Sequence, residues 1–126
     1  MALSAKQVEQ LHAKMLHKRL YIIFSEPTDK AGDRRKIFPR HIEYQLKIER
    51  EGKLFAAGPF VDGQGKPQGP GMIVVRAKNM AEAKKIADAD PFHKQGYRKY
   101  RIQAWQVNEG GFNLHVKFSD GSFTLD

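Results

Sequence analysis

The chain contains no cysteine. This excludes disulfides, thiolate nucleophiles and cysteine-ligated zinc or iron–sulfur centres, and it gives no support for a secreted setting. No apolar run approaches the roughly 18 residues of a membrane-spanning helix. Met1 to Arg19 lacks the apolar stretch of a signal peptide. A cytoplasmic protein is therefore expected. Acidic residues are few, 14 against 22 Lys and Arg, which leaves a net charge of +8. Such a field attracts anions but does not define a site. The basic residues fall in short runs, such as Arg34-Arg35-Lys36 and Arg98-Lys99, that read most simply as solvated faces.

What is present is ordinary for a folded domain. The 126 residues suit one domain with a real core. Hydrophobic and charged fractions of 40% and 29% are typical of globular proteins.

Ser4 to Arg19 reads as a helix, with Ser4 as N-cap and Val8, Leu11 and Met15 at helical spacing. Leu20 to Phe24 is a short apolar strand. Ser25 to Gly32 reads as a loop. Asp33 can cap a helix running to Glu51, with Gly52 as its stop and Pro39 marking its true first turn. His41, Tyr44 and Ile48 form the inward stripe of that helix, while Arg40, Glu43, Lys47 and Arg50 form its charged face.

Lys53 to Gly58 is a second strand. The Gly- and Pro-rich stretch from Pro59 to Gly71 predicts a long mobile hairpin loop, of the kind that often serves as a lid. It is not a phosphate loop, because no Gly-Lys-Ser/Thr ending is present and a strand follows. Met72 to Ala77 is the third strand. Asn79 and Glu82 open a second helix in capping-box fashion, and Met80, Ala83, Ile86 and Ala87 form its stripe. That helix stops before Asp90-Pro91. Tyr100 to Val107 alternates as the fourth strand. Beyond it, Phe112, Leu114, Val116 and Phe118 alternate with polar residues up to an Asp120-Gly121 turn. This terminal hairpin has one apolar face that needs a cover, from the domain or from a second subunit.

The order β-α-β-β-α-β predicts an α+β, ferredoxin-like fold with both helices on one face of an antiparallel sheet. The predicted organisation is an N-terminal helical extension (1–19), an α+β domain (20–107) and a C-terminal hairpin extension (108–126). Pairing two open sheet faces in a dimer is one way to cover the exposed face.

Two residues stand out chemically. Asp90 precedes a proline and can cap a short helix, Pro91 to Gln95. A carboxylate can also cap with one oxygen and bind an imidazole with the other. His41 lies at a helix start beside a loop, where a pocket edge and a satisfied rim histidine are both plausible readings.

His41-Ile-Glu-Tyr44, then Gly52-Lys-Leu-Phe-Ala-Ala-Gly58-Pro59, then Ala89-Asp90-Pro91-Phe92 and finally Gln103-Ala-Trp105 resemble, as an ordered set, the YciI-like (YCII-related) family. The resemblance covers roughly residues 20 to 107. It implies the dimeric α+β barrel fold and a His–Asp site, with His41 and Asp90 in the matching positions and Gly58-Pro59 as the matching turn. It places the N-terminal helix and the C-terminal hairpin outside the shared core.

The resulting expectation is a small cofactor-independent enzyme of lyase or isomerase type. His41 would act as base and Asp90 would fix its tautomer. Ser25, Arg40, Tyr44, Gly58, Pro59 and Phe92 are candidates to line the pocket for a small anionic, phenolic or quinoid substrate. The alternative is a ligand-binding or regulatory module with the same pocket. His41, His93 and Asp90 could converge, but no ligand spacing demands a metal, and no metal or cofactor is inferred. An RNA-recognition fold shares the element order, but the third strand, Met72 to Arg76, has none of the stacking aromatics such a fold uses. The expected partners are a small molecule and a second copy of the chain.

Overall fold

The computed structural model describes all of residues 1–126. They divide into two units, Arg19–Gln106 and a second made of Met1–Lys18 with Val107–Asp126.

The larger unit holds β1 (Lys18–Pro27), a 3-10 turn (Arg34–Lys36), α2 (Phe38–Arg50), β2 (Leu54–Val61), β3 (Pro67–Val75), α3 (Met80–Ala89), α4 (Pro91–Lys94) and β4 (Arg98–Val107). The sheet order is β2-β3-β1-β4, and β3 runs antiparallel to both neighbours. This is the ferredoxin-like arrangement that the element order predicts. Tyr21 and Ile23 of β1, Ile73 and Val75 of β3, Ile48 of α2 and Ala83, Ile86 and Ala87 of α3 form the buried cluster. Each large aliphatic side chain taken out of water there stabilises the fold by about 1.5–3 kcal/mol. The alternate residues of β1 and β3, such as Phe24 and Met72, face the other way, so neither α2 nor α3 covers that face of the sheet.

The segment expected to be a long loop is largely strand. β2 continues through Pro59 to Val61 and β3 begins at Pro67, leaving only a tight turn at Asp62–Lys66. Proline is tolerated because β2 is an edge strand. The β1–β3 ladder stops at Ser25↔Gly71, just where Pro70 would have no N–H to give. Gly71 is required by packing: a Cβ there would lie 2.8 Å from the Gly58 carbonyl oxygen. A lid at this position is therefore not part of the fold.

The helix expected from Asp33 to Glu51 is two elements. Asp33 Oδ1 accepts from the Arg35 amide and caps the 3-10 turn. α2 then starts at Phe38 with Pro39 in its first turn.

The smaller unit holds α1 (Ala5–Ala13), capped by Ser4 with Gln7 in a capping box, and a hairpin of β5 (Leu114–Val116) and β6 (Phe123–Leu125). The helix is shorter than the expected span to Arg19. The Leu16 amide leaves it to donate to the Asn108 carbonyl. No helix in the chain is long and apolar enough to cross a membrane.

Candidate active site

The site is built on two helix starts. Pro39 opens α2, and His41 and Gln45 then stand one turn apart on the same face. Across from them α3 ends at Asp90. Its extended backbone (φ −63°, ψ 125°) is what a residue before proline must adopt. Oδ1 of Asp90 then accepts the Phe92 amide at 3.0 Å and caps α4.

The same carboxylate receives the histidine. His41 Nδ1 lies 2.9 Å from Oδ1 and 2.8 Å from Oδ2. Gln45 Nε2 donates to Oδ2 at 3.1 Å. Asp90 is almost fully buried, and the His41 side chain retains 19% exposure. Burial pushes the Asp90 carboxyl up. The hydrogen bond and charge of His41, the Phe92 amide and the His93 ring outweigh it and hold the group below the usual carboxylate range. Asp90 is therefore ionised at neutral pH. An ionised acceptor at Nδ1 requires a hydrogen there, so neutral His41 keeps its lone pair on Nε2.

Aromatic rings lie beside the imidazole. The Phe92 ring centroid is 4.9 Å from that of His41, and the exposed Phe38 ring is 6.2 Å away. Tyr44 packs behind, donating to the Ile86 carbonyl at 2.6 Å. Burial, then the charge of Asp90, pushes its phenol up to about 12. Tyr44 is thus a neutral structural donor that ties α2 to α3.

The other expected residues are distributed differently. Ser25 belongs to an adjoining network. Its Oγ lies 2.7 Å from His93 Nε2 and accepts from Arg98 Nε at 2.8 Å. His93 Nδ1 donates to the Ala87 carbonyl at 2.7 Å, so Nε2 accepts from the Ser25 hydroxyl. Both His93 nitrogens are engaged. Arg40 is exposed on the first turn of α2, one residue before His41. Gly58 and Pro59 lie in edge strand β2, opposite Met72 and Gly71, and not around the dyad. Gln45, Arg98 and Phe38 escaped the sequence reading as site residues, and His93 was considered only as a possible metal ligand. Gln45 had a signal, its i+4 spacing from His41. The pairing of residues 25, 93 and 98 had none.

His93 makes stability depend on pH. Burial lowers its pKa first, opposed by the Ala87 carbonyl and Asp90. Below its ordinary value near 6.5 the unfolded chain takes up the proton and the folded one resists, so stability falls as pH drops through that range. Asp90, with its folded pKa lowered, adds a second loss below about 4. Urea unfolding of wild type from pH 7.5 to 5 should show the first loss, and His93→Gln should flatten it.

Fold and site together describe a small ferredoxin-like domain with a carboxylate-held imidazole. The chain belongs to the YCII-related domain family, whose profile matches residues 19–106. The curated protein YjpA of Bacillus subtilis (strain 168), itself uncharacterised, is 30% identical over 69 residues, 55% of this chain and 75% of YjpA. Among solved structures, 5-chloro-2-hydroxyhydroquinone dehydrochlorinase from Burkholderia phenoliruptrix AC1100, in complex with 2,5-dihydroxybenzoquinone, shares the fold. Its TM-score is 0.56 at 20% identity, over 68% of this chain and 92% of that one.

Proposed function

We propose that the chain is a small cytoplasmic enzyme of lyase or isomerase type that moves a proton on a small phenolic, quinoid or anionic substrate. The observation that carries this reading is the part-exposed His41 imidazole, held through Nδ1 by a buried carboxylate, with the Phe38 and Phe92 rings beside it. A base in that state takes a proton from an acidic O–H or C–H, and the electron pair released forms a new double bond. In an elimination the leaving group departs with its own bonding pair. In an isomerisation the imidazolium returns the proton at another carbon. Asp90 stabilises the imidazolium in between. The ring walls suit a flat conjugated substrate, and the dehydrochlorinase of like fold supports the same substrate class. The working form is a homodimer or larger homo-oligomer that covers the open sheet face.

The test is incubation of the purified chain with substituted hydroquinones carrying a halide leaving group, following halide release and quinone absorbance. Turnover above the uncatalysed rate supports the reading. A compound that raises the melting temperature and is recovered unchanged makes the chain a binding module with the same pocket.

A further inference from the structure

The unit made of Met1–Lys18 and Val107–Asp126 has no core. Helix α1 buries no residue, and every residue of β5 and β6 is exposed. Yet the hairpin is sided. Its register pairs Leu114 with Leu125 and Val116 with Phe123, so these four side chains share one face. They remain 58%, 66%, 52% and 67% exposed, and Phe112 and Phe118 at its ends are 72% and 101% exposed. A two-stranded hairpin is marginal in water without such a face being covered. With aromatic side chains offering about 150–250 Å² each, this surface comes to roughly 700 Å². That approaches the about 800 Å² that each partner gives to a stable interface.

Charge selects the occupant. Val107–Asp126 carries Lys117 against Glu109, Asp120 and Asp126, a net charge of −2. The rest of its unit, with Lys6, Lys14 and Lys18 against Glu9, is net +2, so the negative charge is local to this segment, where it disfavours nucleic acid and anionic membranes. The Arg19–Gln106 unit, with eighteen Lys and Arg against ten Asp and Glu, is net +8. It also holds a hollow of about 270 Å³ whose lining includes Phe24, Glu26, Phe60, Pro70, Lys99 and Arg101. The Arg101 guanidinium lies 4.0 Å over the Phe24 ring. Lys99 on the rim of the hollow is paired with Glu26 at 3.5 Å, which leaves Arg101 as the cation offered beside an apolar wall, to a hairpin whose own segment is net negative.

We propose that the C-terminal hairpin is an intermolecular arm, whose apolar face closes on the open sheet face of a second copy at the margin marked by Phe24, Lys99 and Arg101. This rests on the self-association proposed above and names the segment that secures it. The hairpin lies beyond the residues matched by the family, 19–106, so it would be this chain's own addition to the interface.

Sedimentation of the full-length protein tests it. Wild type is expected to self-associate, and Val116→Asp/Phe123→Asp to weaken association roughly 100-fold, the scale of losing two buried interface anchors. Its circular dichroism should show that the larger unit stays folded. The cysteine-free chain allows a second test by crosslinking. A Ser119→Cys copy mixed with a Gln103→Cys copy should give a bismaleimide-linked heterodimer. The same copy mixed with Lys85→Cys, on the helix side, should not. If the double variant associates as wild type does, the arm is overturned and the sheet-face dimer stands. A monomeric wild type at about 100 µM overturns both, since interfaces of this size hold far below that concentration. Association lost without the Ser119–Gln103 product overturns this docking site.

Discussion

Asp90→Ala is expected to lower stability by about 3 kcal/mol, the cost of breaking a buried charge pair together with a helix cap. In a domain of this size that is a fall of about 10 °C in melting temperature. The loss has three parts, because one carboxylate serves three donors. The Phe92 amide loses its cap, Gln45 Nε2 loses its acceptor, and His41 loses its counter-ion. Gln45 already has an unpartnered buried Oε1, so the variant would strand the whole amide. Asp90→Asn separates structure from chemistry. The amide oxygen can still cap α4, so most of the stability should return. Its NH₂ group, however, would donate to His41 Nδ1 and move the ring hydrogen to Nε2. The base would then be lost in a folded protein. Calorimetry of the three proteins, with a ¹⁵N imidazole spectrum of each, decides this. An Asp90→Asn protein with the wild-type tautomer would contradict the assignment.

His41→Ala is expected to abolish turnover of any substrate the assay finds, with kcat down by about 10²–10⁴-fold, the usual contribution of a positioned general base. KM should change little, because the aromatic walls Phe38 and Phe92 remain. Folding should survive, since the His41 ring is partly exposed and Ile48, not His41, is the deep core residue of α2. Added imidazole should restore part of the rate by occupying the space left beside Asp90. An unchanged kcat would remove His41 from the chemistry and leave it as a partner of the α4 cap.

The two predictions mark how far the sequence reaches. Asp90 before Pro91 ends one helix and caps the next for reasons written in two adjacent residues. The same holds for Asn79 with Glu82 and for Ser4 with Gln7. The inward placement of Ile48 and the buried stripe of α3 follow from spacing along the chain. Over Pro59–Gly71 composition says turn, whereas an edge strand tolerates prolines and a close strand pair demands Gly71. Ser25, His93 and Arg98 gave no joint signal, since their contacts join β1, α4 and β4 across the packed interior.

By itself, then, the sequence determined where elements start and stop, which faces turn inward, the α+β order, and the absence of any thiol chemistry. These depend on dihedral preferences and on side chains within one or two turns of each other. Only the tertiary structure decided that His41 and Gln45 meet Asp90 across 49 and 45 residues of chain, and that Gly58-Pro59 stays apart from them. The reason is physical. A hydrogen bond between distant residues needs two helix ends fixed to within a few tenths of an ångström. The packing of α2 and α3 on the sheet supplies that precision, and no local periodicity can.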